Sequence, residues 1–210
     1  MKLLVSIVFF VATSSALAAN IDAALITQLQ GDAVVESDKG TKRPAVALLK
    51  LAIGEKLQLK SVTKIQIVYF ESGRQESWSG TGQVEIDSNE GKSTTLKPEL
   101  KQLPPLLVKQ LAKTPGAGQQ GRAGMVVMRS LPTPAKVTKL ESQYAEFRKG
   151  ALQDDLTPEI YYLSGLIELK EIDRAKTVLS MLRTRKDEPG VQSVIEHFSG
   201  LTDSLGKPAQ

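Results

Sequence analysis

Few residues of this 210-residue chain have the types and spacing that chemistry requires. Asp154 and Asp155 form a carboxylate pair of the kind used in acid–base catalysis or in binding a hard cation. They lie just before Thr157 and Pro158, which are typical of a helix start, where acidic side chains are stabilised by the helix dipole. We therefore interpret the pair as part of a helix start and not as a catalytic site.

The other signals for chemistry are weak. The chain has no cysteine and a single histidine, His197, which excludes disulfides and most zinc, iron and copper chemistry. No serine or cysteine motif accompanies His197, so we expect it to be a partly exposed surface side chain. Residues 116–121 match the dinucleotide pattern G-x-G-x-x-G, but they lie in a linker and not between a strand and a helix. The sequence predicts no catalytic site, no cofactor and no metal.

Aromatic side chains supply the candidate binding residues. Trp78 and Tyr69 occur on predicted strands, and an aromatic ring exposed on a sheet can stack on a sugar or fill a pocket of a protein. For Trp78 we favour the alternative, a core position that closes the β region. The predicted binding surface comprises Trp78, Tyr69, Arg74, Tyr161 and Tyr162.

The N-terminus has the pattern of a secretory signal peptide. Lys2 gives the positive start, Leu3–Ala12 is almost wholly apolar, and Ala16–Ala18 has the small residues of a cleavage site. The apolar run is shorter than the roughly 20 residues that span a bilayer. We predict that residues 1–19 are removed on export, leaving a periplasmic or secreted protein with no stable membrane span.

Short strand patterns alternate with glycine turns between residues 20 and 96. Lys56–Lys60 alternates polar and apolar residues, and Lys64–Phe70 begins with the same alternation before it becomes continuously apolar. Short, regularly spaced strands are typical of a small sandwich or barrel and not of βαβ units.

The order and spacing of these segments resemble a known family. The motifs are Leu-x-Gly-Asp-x-x-Val at residues 29–35, Leu-x-x-Gly-Glu-x-Leu-x-Leu at 51–59, Ile-x-Ile-Val-Tyr-Phe-x-x-Gly at 65–73 and Trp-Ser-Gly-x-Gly-x-Val at 78–84. Within residues 25–96 they resemble the FecR-like domain, a β-rich module of bacterial envelope proteins. One departure is Glu71-Ser72-Gly73, where the family more often has an Asp-Gly turn. The resemblance implies an envelope binding or regulatory module, without the transmembrane signalling of the family's namesake.

From Pro134 onward apolar residues recur at spacings of three and four, which predicts helices. Thr157 is expected to cap a second helix, Asp173 a third, and Pro189 to start a short fourth. Residues 161–189 resemble one degenerate tetratricopeptide-type hairpin. The alternative is a generic helical bundle packed beside the β domain.

Charge is distributed unevenly along the chain. Residues 92–149 carry 11 basic and 3 acidic side chains, and the segments on either side are net acidic. The basic middle could meet an anionic surface, dock on the chain's own acidic flanks, or serve as a solvated connector; we favour the last two. Nucleic acid is not expected, because the aromatic residues are not interleaved with the basic ones and export leaves little of it to meet. Met125–Met128 either returns to the sheet as a strand or packs under a helix.

These observations predict an α+β protein in which a small all-β FecR-like sandwich or barrel precedes an antiparallel helical bundle. The predicted organisation is a signal peptide (1–19), a FecR-like β domain (20–96), a basic Pro/Gly-rich connector with a short helix (97–133), a tetratricopeptide-like helical domain (134–200) and a flexible tail (201–210). The predicted function is that of an exported, non-enzymatic binding or regulatory module that contacts an envelope protein or a cell-wall glycan such as peptidoglycan. The alternatives are an envelope enzyme that uses scattered carboxylates and a peripheral membrane protein that docks through its basic middle segment.

Overall fold

The computed structural model describes residues 21–117 and 134–205. Within these ranges the chain forms ten β-strands followed by five α-helices. The strands are β1 (Asp22–Gln30), β2 (Ala33–Glu36), β3 (Lys42–Pro44), β4 (Lys50–Ala52), β5 (Lys56–Leu59), β6 (Lys64–Tyr69), β7 (Arg74–Ser79), β8 (Gly82–Ile86), β9 (Gly91–Lys92) and β10 (Glu99–Gln102). The helices are α1 (Pro105–Lys113), α2 (Pro134–Lys149), α3 (Thr157–Glu168), α4 (Ile172–Arg183) and α5 (Val191–Leu205).

The strands form two five-stranded antiparallel sheets that pack face to face. Sheet A has the order β10-β7-β6-β1-β4, and sheet B has the order β3-β2-β5-β8-β9. Successive side chains of a strand point to opposite faces, so every second residue points between the sheets. In β5, for example, Leu57 and Leu59 are buried while Lys56 and Gln58 are exposed. The core between the sheets includes Ile26, Val35, Leu51, Leu57, Ile65, Ile67, Trp78, Val84 and Ile86.

Sheet A is covered on both faces. In β6, Ile67 packs in the core between the sheets, whereas its neighbour Val68 packs in a second core with the helices. In β1, Ile26 likewise packs between the sheets, and its neighbour Leu25 packs with the helices. A strand that is buried on both faces has no polar side to show, which explains the continuous apolar run at the end of the Lys64–Phe70 segment.

The second core joins the sandwich to the helices. Helix α3 is central to it and contacts α1, α2, α4 and α5. This core combines side chains of the β region with side chains of all five helices, including Leu25, Leu48, Val68, Leu107, Leu140, Ile160, Leu163, Leu179 and Phe198. The helices therefore share one continuous core with sheet A.

At this level the expected α+β arrangement is confirmed, since two antiparallel sheets precede the helices. Part of the predicted connector is folded into the structure, because Glu99–Gln102 pairs with β7 as the edge strand of sheet A and α1 packs on α3. The second helix from Pro134 begins at Thr157 with Leu156 as its N-cap, so the prediction that Thr157 caps it is wrong by one residue. The third begins at Ile172 with Glu171 as its N-cap, so the predicted cap Asp173 lies inside the helix.

The last helix is longer than predicted. Helix α5 has 15 residues and continues to Leu205, so the first residues of the predicted tail are helical. The predicted signal peptide (1–19) and Met125–Met128 lie outside the described residues. None of the helices in the described ranges has the length and apolar character needed to cross a membrane.

Helices α2 and α3 approach closely at Gly165. A Cβ at this position would lie 2.5 Å from Leu140 Cδ1, and Leu140 is itself buried. We expect Gly165→Ala to destabilise the fold by about 1–2 kcal/mol, because overpacking outweighs the gain in helix propensity. Urea denaturation of Gly165→Ala, Leu140→Ala and the double variant checks this. The double variant should be less destabilised than the sum of the single ones, and strict additivity would contradict the proposed contact.

Candidate functional site

Two of the predicted binding residues lie inside the sandwich. Trp78 is 1% exposed and sits opposite Ile65, and Tyr69 is fully buried. The alternation of β7 and β6 turns both rings toward sheet B, where they pack in its core. An accessible binding surface that includes Trp78 and Tyr69 is therefore wrong, whereas the favoured core position of Trp78 is confirmed.

Arg74 and Trp78 both contact a buried carboxylate, Glu76. The Trp78 indole and the Gly91 amide each donate to Glu76 Oε2 at 3.0 Å, and Arg74 Nε lies 2.8 Å from Glu76 Oε1. Burial raises the pKa of Glu76, and burial together with the Glu76 charge raises the pKa of Tyr69. Arg74, the third predicted binding residue, is thus committed to an internal charge cluster.

Tyr161 and Tyr162 lie between α2 and α3. The Tyr161 hydroxyl donates to Gln143 Oε1 at 2.9 Å, and its ring meets Phe147 edge-on. Tyr162 stacks on Tyr144 with 4.6 Å between ring centroids. Tyr161 is buried, so it is not an accessible binding residue, whereas Tyr162 is half-buried. The structure therefore divides the five candidates between two separate cores and does not bring them together as one surface.

The carboxylate pair is split by the fold. Asp154 is exposed, whereas Asp155 is buried and accepts a hydrogen bond from the Thr157 backbone N–H at 3.0 Å. Asp155 also accepts from Gln75 Nε2 at 3.4 Å and from Lys101 Nζ at 3.4 Å. This confirms the helix-start interpretation for Asp155, and it adds a link to sheet A that the sequence did not reveal.

A second buried carboxylate holds the helices together. Glu159 is 2% exposed and accepts hydrogen bonds from Arg148 Nη1 at 2.9 and 3.1 Å. Arg185 Nη1 lies 3.6 Å from Glu159 Oε1, and the Tyr144 hydroxyl donates to the same oxygen at 3.4 Å. Burial, and then the Glu159 charge, raises the pKa of Tyr144 to about 12.

His197 is buried at 7% exposure, so the expectation of a surface histidine is wrong. It meets Phe198 edge-on, and the Pro115 backbone forms a hydrogen bond with its ring. Burial lowers the pKa of His197, because the charged imidazolium loses its hydration. The apolar stripe of α5, with Val194 and Phe198, places His197 on its buried side.

Within the described ranges, at least four of the eleven basic side chains in the middle segment pair with the acidic flanks. The salt bridges are Lys92–Asp87, Lys101–Asp155, Lys113–Glu168 and Arg148–Glu159. For these residues the structure agrees with docking on the chain's own acidic groups, one of the two favoured interpretations. Of the dinucleotide pattern, only residues 116 and 117 belong to the described part of the chain.

An open groove lies between the edge of sheet A and the first three helices; we call it the β10 groove. It is lined by residues 101–107, by the C-terminal half of α2 with residues 150 and 151, and by Asp155, Thr157 and Pro158 at the start of α3. Its volume is about 540 Å³. Leu106 lines it and is 56% exposed, so it presents apolar surface to an incoming molecule. The sequence did not reveal this groove, because its sides come from segments distant in the chain.

Among residues 21–117 and 134–205, no group of three or more His, Cys, Asp or Glu side chains is arranged to hold a metal ion. No protein-family model, curated protein or solved structure matches this chain. With no metal site in the described residues and no matching protein to indicate a function, we take the β10 groove as the candidate functional site.

We predict that Asp155→Ala lowers the free energy of unfolding by about 1–3 kcal/mol, because it removes the helix-start hydrogen bond and takes one of two acceptors from the buried Gln75 amide. Asp154→Ala is the matched control and should change it by no more than about 0.5 kcal/mol, since Asp154 is exposed. Chemical denaturation measures both. Equal effects of the two substitutions would contradict the assigned roles.

We also predict a pH-dependent contribution from His197. Its pKa is lowered in the folded state, so the unfolded chain binds the proton first as pH falls. The stability that His197 contributes is complete above the unfolded pKa of about 6.5 and is lost as pH falls toward the folded value, by up to about 1.4 kcal/mol per pH unit. The measurement is the difference in unfolding free energy between wild type and His197→Gln at pH 7.5 and 5.5. A difference that does not change with pH would contradict the prediction.

Proposed function

We propose that this chain is an exported, non-enzymatic binding or regulatory module of the bacterial cell envelope, built on a FecR-like sandwich. In this proposal it acts by contacting a protein partner at the β10 groove. Helix α3, whose first residues line the groove, continues into the proposed tetratricopeptide-like hairpin. Residues 1–19 serve as the export signal.

The observation that carries the proposal is the chemistry of the groove. Leu106 and Phe147 offer apolar surface, and Lys101, Gln143 and Glu146 surround it with polar groups. An apolar centre with a polar rim is the composition of a protein–protein contact. The groove is also built on a strand, helix ends and buried side chains, which hold its shape before a partner arrives.

The alternatives have less support. Glycan stacking on the two predicted strand rings has no support, because Trp78 and Tyr69 are buried. A catalytic carboxylate pair would need Asp155 to be free, but its oxygens accept hydrogen bonds from Thr157, Gln75 and Lys101. Membrane docking through the basic middle segment has less support, because at least four of its eleven basic side chains form salt bridges with acidic residues of this chain.

We predict that Leu106→Asp weakens capture of a defined partner protein from envelope extract by about tenfold or more, because it places a charge on the apolar side of the groove. Met181→Asp is the matched control, since Met181 is 61% exposed on α4, outside the groove. The partner captured by wild type is identified, purified and titrated against all three proteins. An unchanged affinity for Leu106→Asp would contradict the groove as the contact. Capture of no protein, with sedimentation on purified peptidoglycan instead, would contradict the protein-partner proposal.

A further inference from the structure

The two edges of sheet A differ in how their backbone groups are satisfied. At the β4 edge, Glu55 Oε2 accepts from the Ala52 N–H at 3.0 Å, and Arg43 Nη2 donates to the Lys50 carbonyl at 3.3 Å. Arg43 and Glu55 also pair with each other at 2.9 Å. Side chains from the sheet B side therefore close this edge to any further strand.

The edges of sheet B are short. Strand β3 has three residues and ends in Pro44, and β9 has only two residues. Short edge strands and edge prolines are common devices that prevent unwanted pairing. Strand β10 is the edge that remains, with four residues whose side chains are all exposed.

The register of β10 shows which backbone groups face outward. The Leu103 N–H donates to the Gly73 carbonyl at 3.0 Å, and Lys101 is opposite Gln75 in the same register. Hydrogen-bonded and non-hydrogen-bonded pairs alternate in an antiparallel ladder, so Lys101 and Glu99 bond to β7. The N–H and C=O groups of Leu100 and Gln102 consequently point away from β7. In the described part of the chain they have no backbone partner.

The β10 groove lies on the helix-covered side of this edge. Lys101 is on that side, with its ammonium group on Asp155 Oδ2 at 3.4 Å and on the Gly150 carbonyl at 3.2 Å. Glu146 lines the groove, and Glu99, two residues before Lys101, lies on the same face of β10. Neither glutamate forms an ion pair within residues 21–117 and 134–205, so both carboxylates are available to a ligand. A basic residue complements them.

We propose that β10 receives an extended peptide segment of the partner protein as a sixth strand of sheet A. The proposal rests on the proposed function, because it specifies what the β10 groove binds. The backbone of the segment bonds to the outward N–H and C=O groups of Leu100 and Gln102. Every second side chain enters the groove over Leu106 and Phe147, and a Lys or Arg of the segment lies near Glu99 and Glu146. Main-chain bonds thus give affinity, and alternate side chains give specificity.

The first test pans the whole chain against a phage library of random heptapeptides. We expect peptides with apolar residues at alternate positions and at least one Lys or Arg. The most enriched peptide is synthesised, and its affinity is measured for wild type, Leu100→Pro and Leu100→Ala. Proline removes the outward N–H of Leu100 but no bond to β7, so Leu100→Pro should weaken binding about tenfold, whereas Leu100→Ala should change it much less.

A second measurement does not depend on the folding of Leu100→Pro. The amides of Leu100 and Gln102 should exchange rapidly with solvent in the free protein and slowly with the peptide bound, whereas the amides of Glu99 and Lys101 should be protected in both states. N-methylation of the peptide amides that face β10 should abolish binding, whereas N-methylation of the intervening amides should preserve it.

Each contrary outcome has a definite meaning. Equal binding to Leu100→Pro with unchanged exchange at Leu100 and Gln102 would overturn the strand proposal and leave the proposed function intact if envelope capture still depends on Leu106. A library that yields no peptide would overturn the peptide as occupant. A wild type that dimerises, with Leu100→Pro monomeric, would replace the partner peptide by a second copy of the chain. If, in addition, the wild type captures no protein from envelope extract, the proposed function is contradicted as well.

Discussion

Sheet A carries apolar side chains on both of its faces, and each face needs a cover. Sheet B covers one face through Ile26, Ile67 and Trp78. Leu25 and Val68 on the other face pack against the helices. Leaving one such side chain in water would forgo about 1.5–3 kcal/mol. The helices therefore complete the hydrophobic core on the second face of sheet A. Helices α1 and α3 pack there because they cover the apolar side chains of that face.

Polar groups at this interface fix how the helices sit on the sheet. Gln66 and Gln75 point from sheet A toward α3, where Gln75 donates to Thr157 Oγ1 at 3.3 Å and Thr157 donates to Gln66 Oε1 at 3.3 Å. A buried polar group left without a partner is costly, so only the orientation that pairs these side chains is favourable. Since Asp155 takes part in the same network and lines the β10 groove, the interface also sets the shape of the candidate site.

The sequence predicts those parts of the fold in which one face is buried and the other is wet. The alternation of Lys56–Lys60 and the Thr157–Pro158 helix start lead directly to β5 and α3. The sequence pattern does not predict strand β10, because all of its side chains are exposed and the strand forms by pairing with β7. The burial of Trp78 does not follow from the pattern alone, because a strand pattern does not show which face of the sheet will be covered. The position of Glu76, two residues from Trp78 on the same face, was the available signal that this face holds a buried charge cluster.

The central claim is that sandwich and helices share one core, and urea unfolding followed by two probes tests it most directly. Trp78 is the chain's single tryptophan and lies between the sheets, so its fluorescence reports on the sandwich. Circular dichroism at the helical minimum reports on α1–α5. A shared core predicts that the two transitions coincide at one urea midpoint. Loss of the helical signal at a lower urea concentration, with Trp78 fluorescence still native, would contradict it.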